Sequence, residues 1–173
     1  MSNQLILWAS VVLAWSSTLF LSKEDIKRYM PVAFFCSLVF IFIFETGISL
    51  HWWAVTEPSY PLVNIPAFVF GPYLIAPIWI FKYNYGRFWL YLATNIVLDY
   101  LLIFFLIDWF VQRGVWVAYI SYLQILLITT ALAVFIYGFQ LWQEREPVFA
   151  AASELQPAAG KPLEEDPQER QHK

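Results

Sequence analysis

PVAFFCSLVFIFIFETGISL, residues 31–50, carries one carboxylate, Glu45, and neither lysine nor arginine. A helix rises about 1.5 Å per residue and a bilayer's hydrocarbon core is about 30 Å thick, so this stretch has the length of one crossing. Working outward, four more apolar blocks meet the same standard: 5–21, 61–81, 88–107 and 115–141. Lipid offers no water to an open backbone, and ten-residue alternating barrel strands are absent, so helix is the expected form. The fold class read from this pattern is an all-α membrane protein. It is expected to be a bundle of about five transmembrane helices over residues 1–142, with the lipid bilayer as its first partner.

Composition agrees. Of the 173 residues, 60% are hydrophobic and only 13% charged, which is too apolar for an ordinary soluble domain. The net charge of −3 belongs to the tail, since seven of the thirteen acids follow Leu141. Residues 143–173 are rich in Glu, Gln, Ala and Pro and are expected to form a disordered acidic cytoplasmic tail. Cys36 is the only cysteine, so no intrachain disulfide or CxxC site exists. Block 5–21 has no basic residue before it and no A-x-A cleavage pattern after it. It reads as a retained helix rather than a secretory signal.

Lysine and arginine set the orientation. Lys23, Lys27, Arg28, Lys82, Arg87 and Arg145 fall on one side of the predicted spans, and only Arg113 on the other. The N-terminus is therefore expected outside and the C-terminus in the cytoplasm of a cell membrane. Tryptophan favours the headgroup level, and Trp52 and Trp53 would lie at the outer interface, with Lys23, Lys27 and Arg28 at the inner one. Ser22-Lys23-Glu24-Asp25 has the shape of a helix-capping box, and Pro31 could kink the helix that follows. Block 61–81 holds Pro61, Pro66, Gly71, Pro72 and Pro77, which predicts a kinked or broken helix.

Polar side chains within the spans are the candidates for chemistry, because a charge at the membrane centre costs about 2.5–3.5 kcal/mol even on insertion scales. They are Glu45, Asn64, Asn95, Asp99 and Gln124, with Asn95 and Asp99 four residues apart on one helix face. At 1.5 Å per residue, Glu45 and Asn64 fall about 5–7 Å below the outer helix ends, Asp99 and Gln124 about 12–14 Å, and Asn95 deeper. If the spans form one bundle, these groups could line a polar pocket open to the outside. The competing reading is interhelical hydrogen bonding that holds the bundle together. Ser10, Ala14 and Thr18 form a small-residue ridge suited to helix packing.

Catalytic patterns fail. There is no G-x-S-x-G elbow, no H-E-x-x-H and no phosphate-cradling glycine loop, and Asp99 lacks the partner motif of an intramembrane aspartyl protease. The membrane-edge aspartates of lipoprotein signal peptidases also lack their flanking motifs here. His51 and His172 are too far apart for a zinc site of ordinary spacing. No catalytic residue, metal, cofactor or nucleic-acid partner is expected, and an enzyme is the less favoured reading.

Lys23-Glu24-Asp25-Ile26-Lys27-Arg28-Tyr29-Met30-Pro31-Val32-Ala33, then Phe44-Glu45 and His51-Trp52-Trp53, resembles small uncharacterised multi-pass membrane proteins of Gram-positive spore-forming bacteria. The likeness covers the first two spans, and the acidic tail is not part of it. It implies a bacterial cell membrane and carries no activity. Two functional expectations stand. One is a structural or accessory subunit joined to a membrane protein partner. The other is a small transporter or sensor, acting as a homo-oligomer or around a water-filled pocket, that binds a proton, ion or small solute.

Overall fold

The computed structural model describes residues 3–62 and 67–145. Five helices account for most of them. Helix α1 spans Asn3–Ser17 and tightens into a 3-10 turn at Thr18–Phe20; α2 spans Lys23–Ser49. Helix α3 spans Pro72–Asn84, α4 spans Phe88–Gln112 and α5 spans Tyr122–Arg145. Helices α1 with its 3-10 turn, α2, α4 and α5 are long and apolar enough to cross a membrane. The exception is α3, whose 13 residues reach only about 20 Å. The third block is thus not one continuous span: a 3-10 turn at Ala67–Phe70 and Gly71 precede α3, and Pro72 supplies its first turn. Asn64 and the tail from Glu146 onward lie outside the described residues.

Two strands, absent from the all-helical expectation, cap one end. Strand β1, Trp53–Val55, pairs antiparallel with β2, Trp116–Ala118, in the register Trp53 to Ala118 and Val55 to Trp116. The start of α1 joins this ribbon end, where Asn3 Nδ2 donates to Glu57 Oε2 at 2.6 Å and Arg113 donates to Asn3 Oδ1 at 3.3 Å. The opposite end holds Lys23, Lys27, Arg28, Lys82 and Arg87, with Lys82 paired to Asp25 at 3.0 Å. The five helices therefore alternate in direction between a ribbon end and a basic end. Residues up to Gln140 pack as one unit, and 141–145 continue α5 into a second.

Local chemistry explains the helices. Ser22 caps α2 by accepting the Asp25 amide at 3.0 Å, as its sequence predicts, and the helix continues through Pro31. Hydroxyls inside the apolar helices bond to their own backbone: Ser16 to Val12, Thr46 to Phe42, and Thr130 to Leu126, each at 2.7 Å. Such back-bonding lets serine and threonine sit where no water reaches. The close approach of α1 falls at Val11, whose Cα lies 2.6 Å from where a Cβ on Gly71 would sit. Ser10, the residue before Val11 and part of the small-residue ridge, lines a cavity.

Tertiary packing is aromatic. Phe81 on α3 has no exposed surface and lies against Tyr29 of α2, Tyr91 of α4 and Tyr137 of α5, at centroid distances of 5.8, 4.9 and 6.1 Å. Helix α5 meets α2 through rings, with Phe35 stacked on Phe139 at 3.9 Å and tilted against Phe135 at 5.5 Å. Tyr91 Oη donates to the Ala133 carbonyl at 3.1 Å, tying α4 to α5.

Candidate functional site

Among the described residues, the polar side chains singled out from sequence lie in different parts of the fold. Glu45 lies on the strip of α2 that carries Phe34, Leu38 and Phe42, which are 57%, 60% and 74% exposed. The buried strip of the same helix, with Tyr29, Val32, Ala33, Cys36 and Gly47, is on the other side. Glu45, itself half-buried, therefore lies on the opposite side of α2 from the packed strip.

Gln124 is also elsewhere. Its Oε1 accepts from the Ser121 amide at 2.9 Å and the Ser121 hydroxyl at 3.1 Å, while Ser121 Oγ accepts the Gln124 amide at 3.3 Å. This is a reciprocal capping box at the start of α5. Block 115–141 is not one helix, because its first residues pair as β2. The exposed Gln124 is a cap at the ribbon end rather than a group 12–14 Å deep. The S-x-x-Q spacing was the signal for it.

Asn95 and Asp99 do face inward. They lie on the strip of α4 that carries the buried Tyr91, Ile103 and Phe110. Asn95 Nδ2 donates to the Tyr91 carbonyl at 2.8 Å, within its own helix. Asp99 lies within interaction range of the Thr129 hydroxyl on α5, and within electrostatic range of Cys36 and Tyr73. Because α4 extends to Gln112, Asp99 is about 20 Å from its ribbon end, near the middle of the helix. An amide has nearly the same shape, and its N–H can donate to the Thr129 oxygen, whose own proton goes to the Leu126 carbonyl. Asp99→Asn is therefore expected to unfold within about 1 kcal/mol of wild type in detergent, in line with interhelical hydrogen bonds in membranes. A loss above about 3 kcal/mol, the scale for breaking a buried charge pair, would show that the ionised form is structural.

The predicted interface residues divide. Lys23, Lys27 and Arg28 are exposed at the basic end, with the Arg28 guanidinium 4.9 Å from the Tyr85 ring centroid. Trp53 is packed into the core: it is 5% exposed, and its Nε1 donates to the Phe44 carbonyl at 3.1 Å. Trp52 is partly buried, and its carbonyl accepts the Tyr119 amide at 2.8 Å beside the ribbon.

Beneath the ribbon lies a cavity of about 180 Å³. All five helices and both strands contribute to its wall. Leu7 comes from α1, Phe40 from α2, Tyr73 from α3, Ile103 from α4 and Ile125 from α5, with Trp53 and Trp116 from the ribbon. Helix α4 opens into a π-helical stretch, Leu102–Ile107, where it meets the cavity, and four of those six residues line it. Wide turns of this kind often mark functional positions.

The few polar groups in the wall are largely engaged. Ser10 donates to Leu7 O at 2.6 Å, Ser59 Oγ accepts the Ala67 amide at 3.2 Å, Thr129 donates to Leu126 O at 3.1 Å, and Glu57 accepts from Asn3. The Trp116 indole N–H is buried without a partner. What remains is an apolar space, and no group of three or more His, Cys, Asp or Glu suited to a metal occurs among the described residues. Sequence reading missed this site because it searched for polar residues, whereas the site is a void bounded by ordinary Leu, Ile and Phe.

No protein-family model, no curated protein and no solved structure matches this chain. Function has to be argued from the geometry.

Proposed function

We propose that this chain is a multi-pass membrane protein whose cavity binds a small, largely apolar molecule, as a sensor or carrier does. The lysine and arginine distribution supports a ribbon end outside the cell and a basic end in the cytoplasm. The observation that carries the reading is the cavity. Interiors are normally packed to the density of organic crystals, and a void is costly in proportion to its size. About 150 Å³ of apolar space is enough to hold benzene, and the space under the ribbon is about 180 Å³.

Benzene added to the detergent-solubilised chain tests this. At about 100 times Kd it should stabilise the wild type by about 2.7 kcal/mol. Ile103→Phe, which adds volume to the cavity wall, should show no such gain in the same micelles. Equal responses in both would overturn the proposal.

Glu45 favours a second reading, that of an accessory subunit. A carboxyl on the outward strip of an apolar helix suits a partner helix that offers a hydrogen-bond donor or a cation. A stoichiometric partner that copurifies with wild type in mild detergent should then be lost from Glu45→Ala. A chain that comes out alone and stable from its native membrane would remove this reading.

A further inference from the structure

We infer that the occupant of the cavity is the hydrocarbon chain of a bilayer lipid, which enters sideways between α2 and α5 past Ile43 and Ile128. The inference rests on the binding reading above and names both its ligand class and its route.

A shallow groove runs along the outer side of α2, lined by Leu38, Val39, Phe42, Ile43, Thr46 and Trp52, with Ile128 of α5 on its far wall. Ile43 and Ile128 also line the inner cavity. These two side chains are thus the partition between the groove and the void behind it. The groove offers hydrocarbon, since the Thr46 hydroxyl is spent on the Phe42 carbonyl at 2.7 Å. Its rim is open, with Leu38 60% and Phe42 74% exposed on helices of membrane-crossing length.

Both ends of the cavity are covered. Toward the ribbon end, Trp53, Val55, Val115 and Trp116 cover the cavity, held by the strand pairing and by the Thr56 and Glu57 amides on Val115 O at 3.0 and 3.2 Å. Entry from water would break that set of bonds. Toward the basic end, α2 and α5 are locked by Phe35 on Phe139 and by the rings around Phe81. Between these two closures the α2–α5 seam depends on Ile43 and Ile128. Displacing two apolar side chains within lipid exposes no polar group, so this route costs less than opening either end. A bilayer chain is also always present at the groove, at far higher local concentration than any aqueous apolar solute.

The test uses the full chain in phosphatidylcholine vesicles in which a fraction of the lipid carries a diazirine at the end of one acyl chain. Photolysis should label Ile103 and Leu7, which are 1% and 2% exposed, as well as the outward Phe34 and Leu38. Ile43→Trp and Ile128→Trp should cut inner labelling at least about tenfold relative to Phe34 and Leu38. Ile128→Ala should raise it severalfold, and this arm does not depend on whether the tryptophan variants fold. Lipid labelling confined to outward residues would overturn the inference, as would inner labelling unchanged by all three substitutions. A free adamantyl diazirine separates the two levels. If it labels Ile103 where the lipid does not, the binding cavity stands and the lipid occupant fails; if neither labels Ile103, both fail.

Discussion

Phe81→Ala is expected to destabilise the protein by about 3–5 kcal/mol, the range for removing a fully buried aromatic ring. The ring has no exposed surface and touches rings from α2, α4 and α5 at once, so its loss opens a void where four helices meet. Aromatic pairs contribute about 0.5–1.5 kcal/mol beyond their buried area, which places the expected loss toward the upper part of that range. Tyr83 lies two residues away on the same helix and is 67% exposed. Tyr83→Ala should stay within about 0.5 kcal/mol of wild type, the scale of surface changes. Unfolding of the detergent-solubilised proteins in a denaturant series reads both. Similar losses for the two variants would show that Phe81 does not join the helices.

Gly47→Ala is the second large effect. Intrinsic helix propensity favours alanine here by up to about 1 kcal/mol. Packing opposes it: a Cβ on Gly47 would lie 2.0 Å from Trp53 Cζ2, 2.3 Å from Cε2 and 2.6 Å from Cη2, well inside van der Waals contact. The indole cannot simply swing aside, because it is 5% exposed, bonded to the Phe44 carbonyl and anchored on strand β1. Overpacking of this kind costs about 1–3 kcal/mol, and here it also strains the ribbon, so the net change should be a loss of about 2 kcal/mol or more. A smaller ring should relieve it: Gly47→Ala combined with Trp53→Leu is expected to cost clearly less than the sum of the two single changes, as for residues in contact. Additive losses would mean that the indole and Gly47 are not in contact.

The apolar blocks were legible because their lengths and lack of charge are properties of single stretches. So were the Ser22 cap, whose donor lies three residues away, and the interruption of block 61–81, which Pro72 and Gly71 impose locally. The Gln124 cap was legible too, in Ser121-x-x-Gln124, but it was hidden by the apolar residues that extend block 115–141 toward its start. The ribbon was not. Trp53–Val55 and Trp116–Ala118 are three residues each, and each becomes a strand only through a partner some sixty positions away.

The least legible property was which face of each helix turns inward. In water, a polar stripe marks the outside of a helix. Here Phe34, Leu38 and Phe42 on the open side of α2 are as apolar as Val32, Ala33 and Cys36 on the packed side. On helices apolar enough to cross a membrane the open and packed faces carry the same residue types, so composition does not tell that Glu45 lies on the open side of α2 and Asp99 on the packed side of α4. The sequence alone determined the number and approximate position of the helices, the Ser22 cap and the break before α3. The tertiary structure decided the faces, the ribbon and the void beneath it, because each depends on what a distant segment places opposite, and no single stretch carries that information.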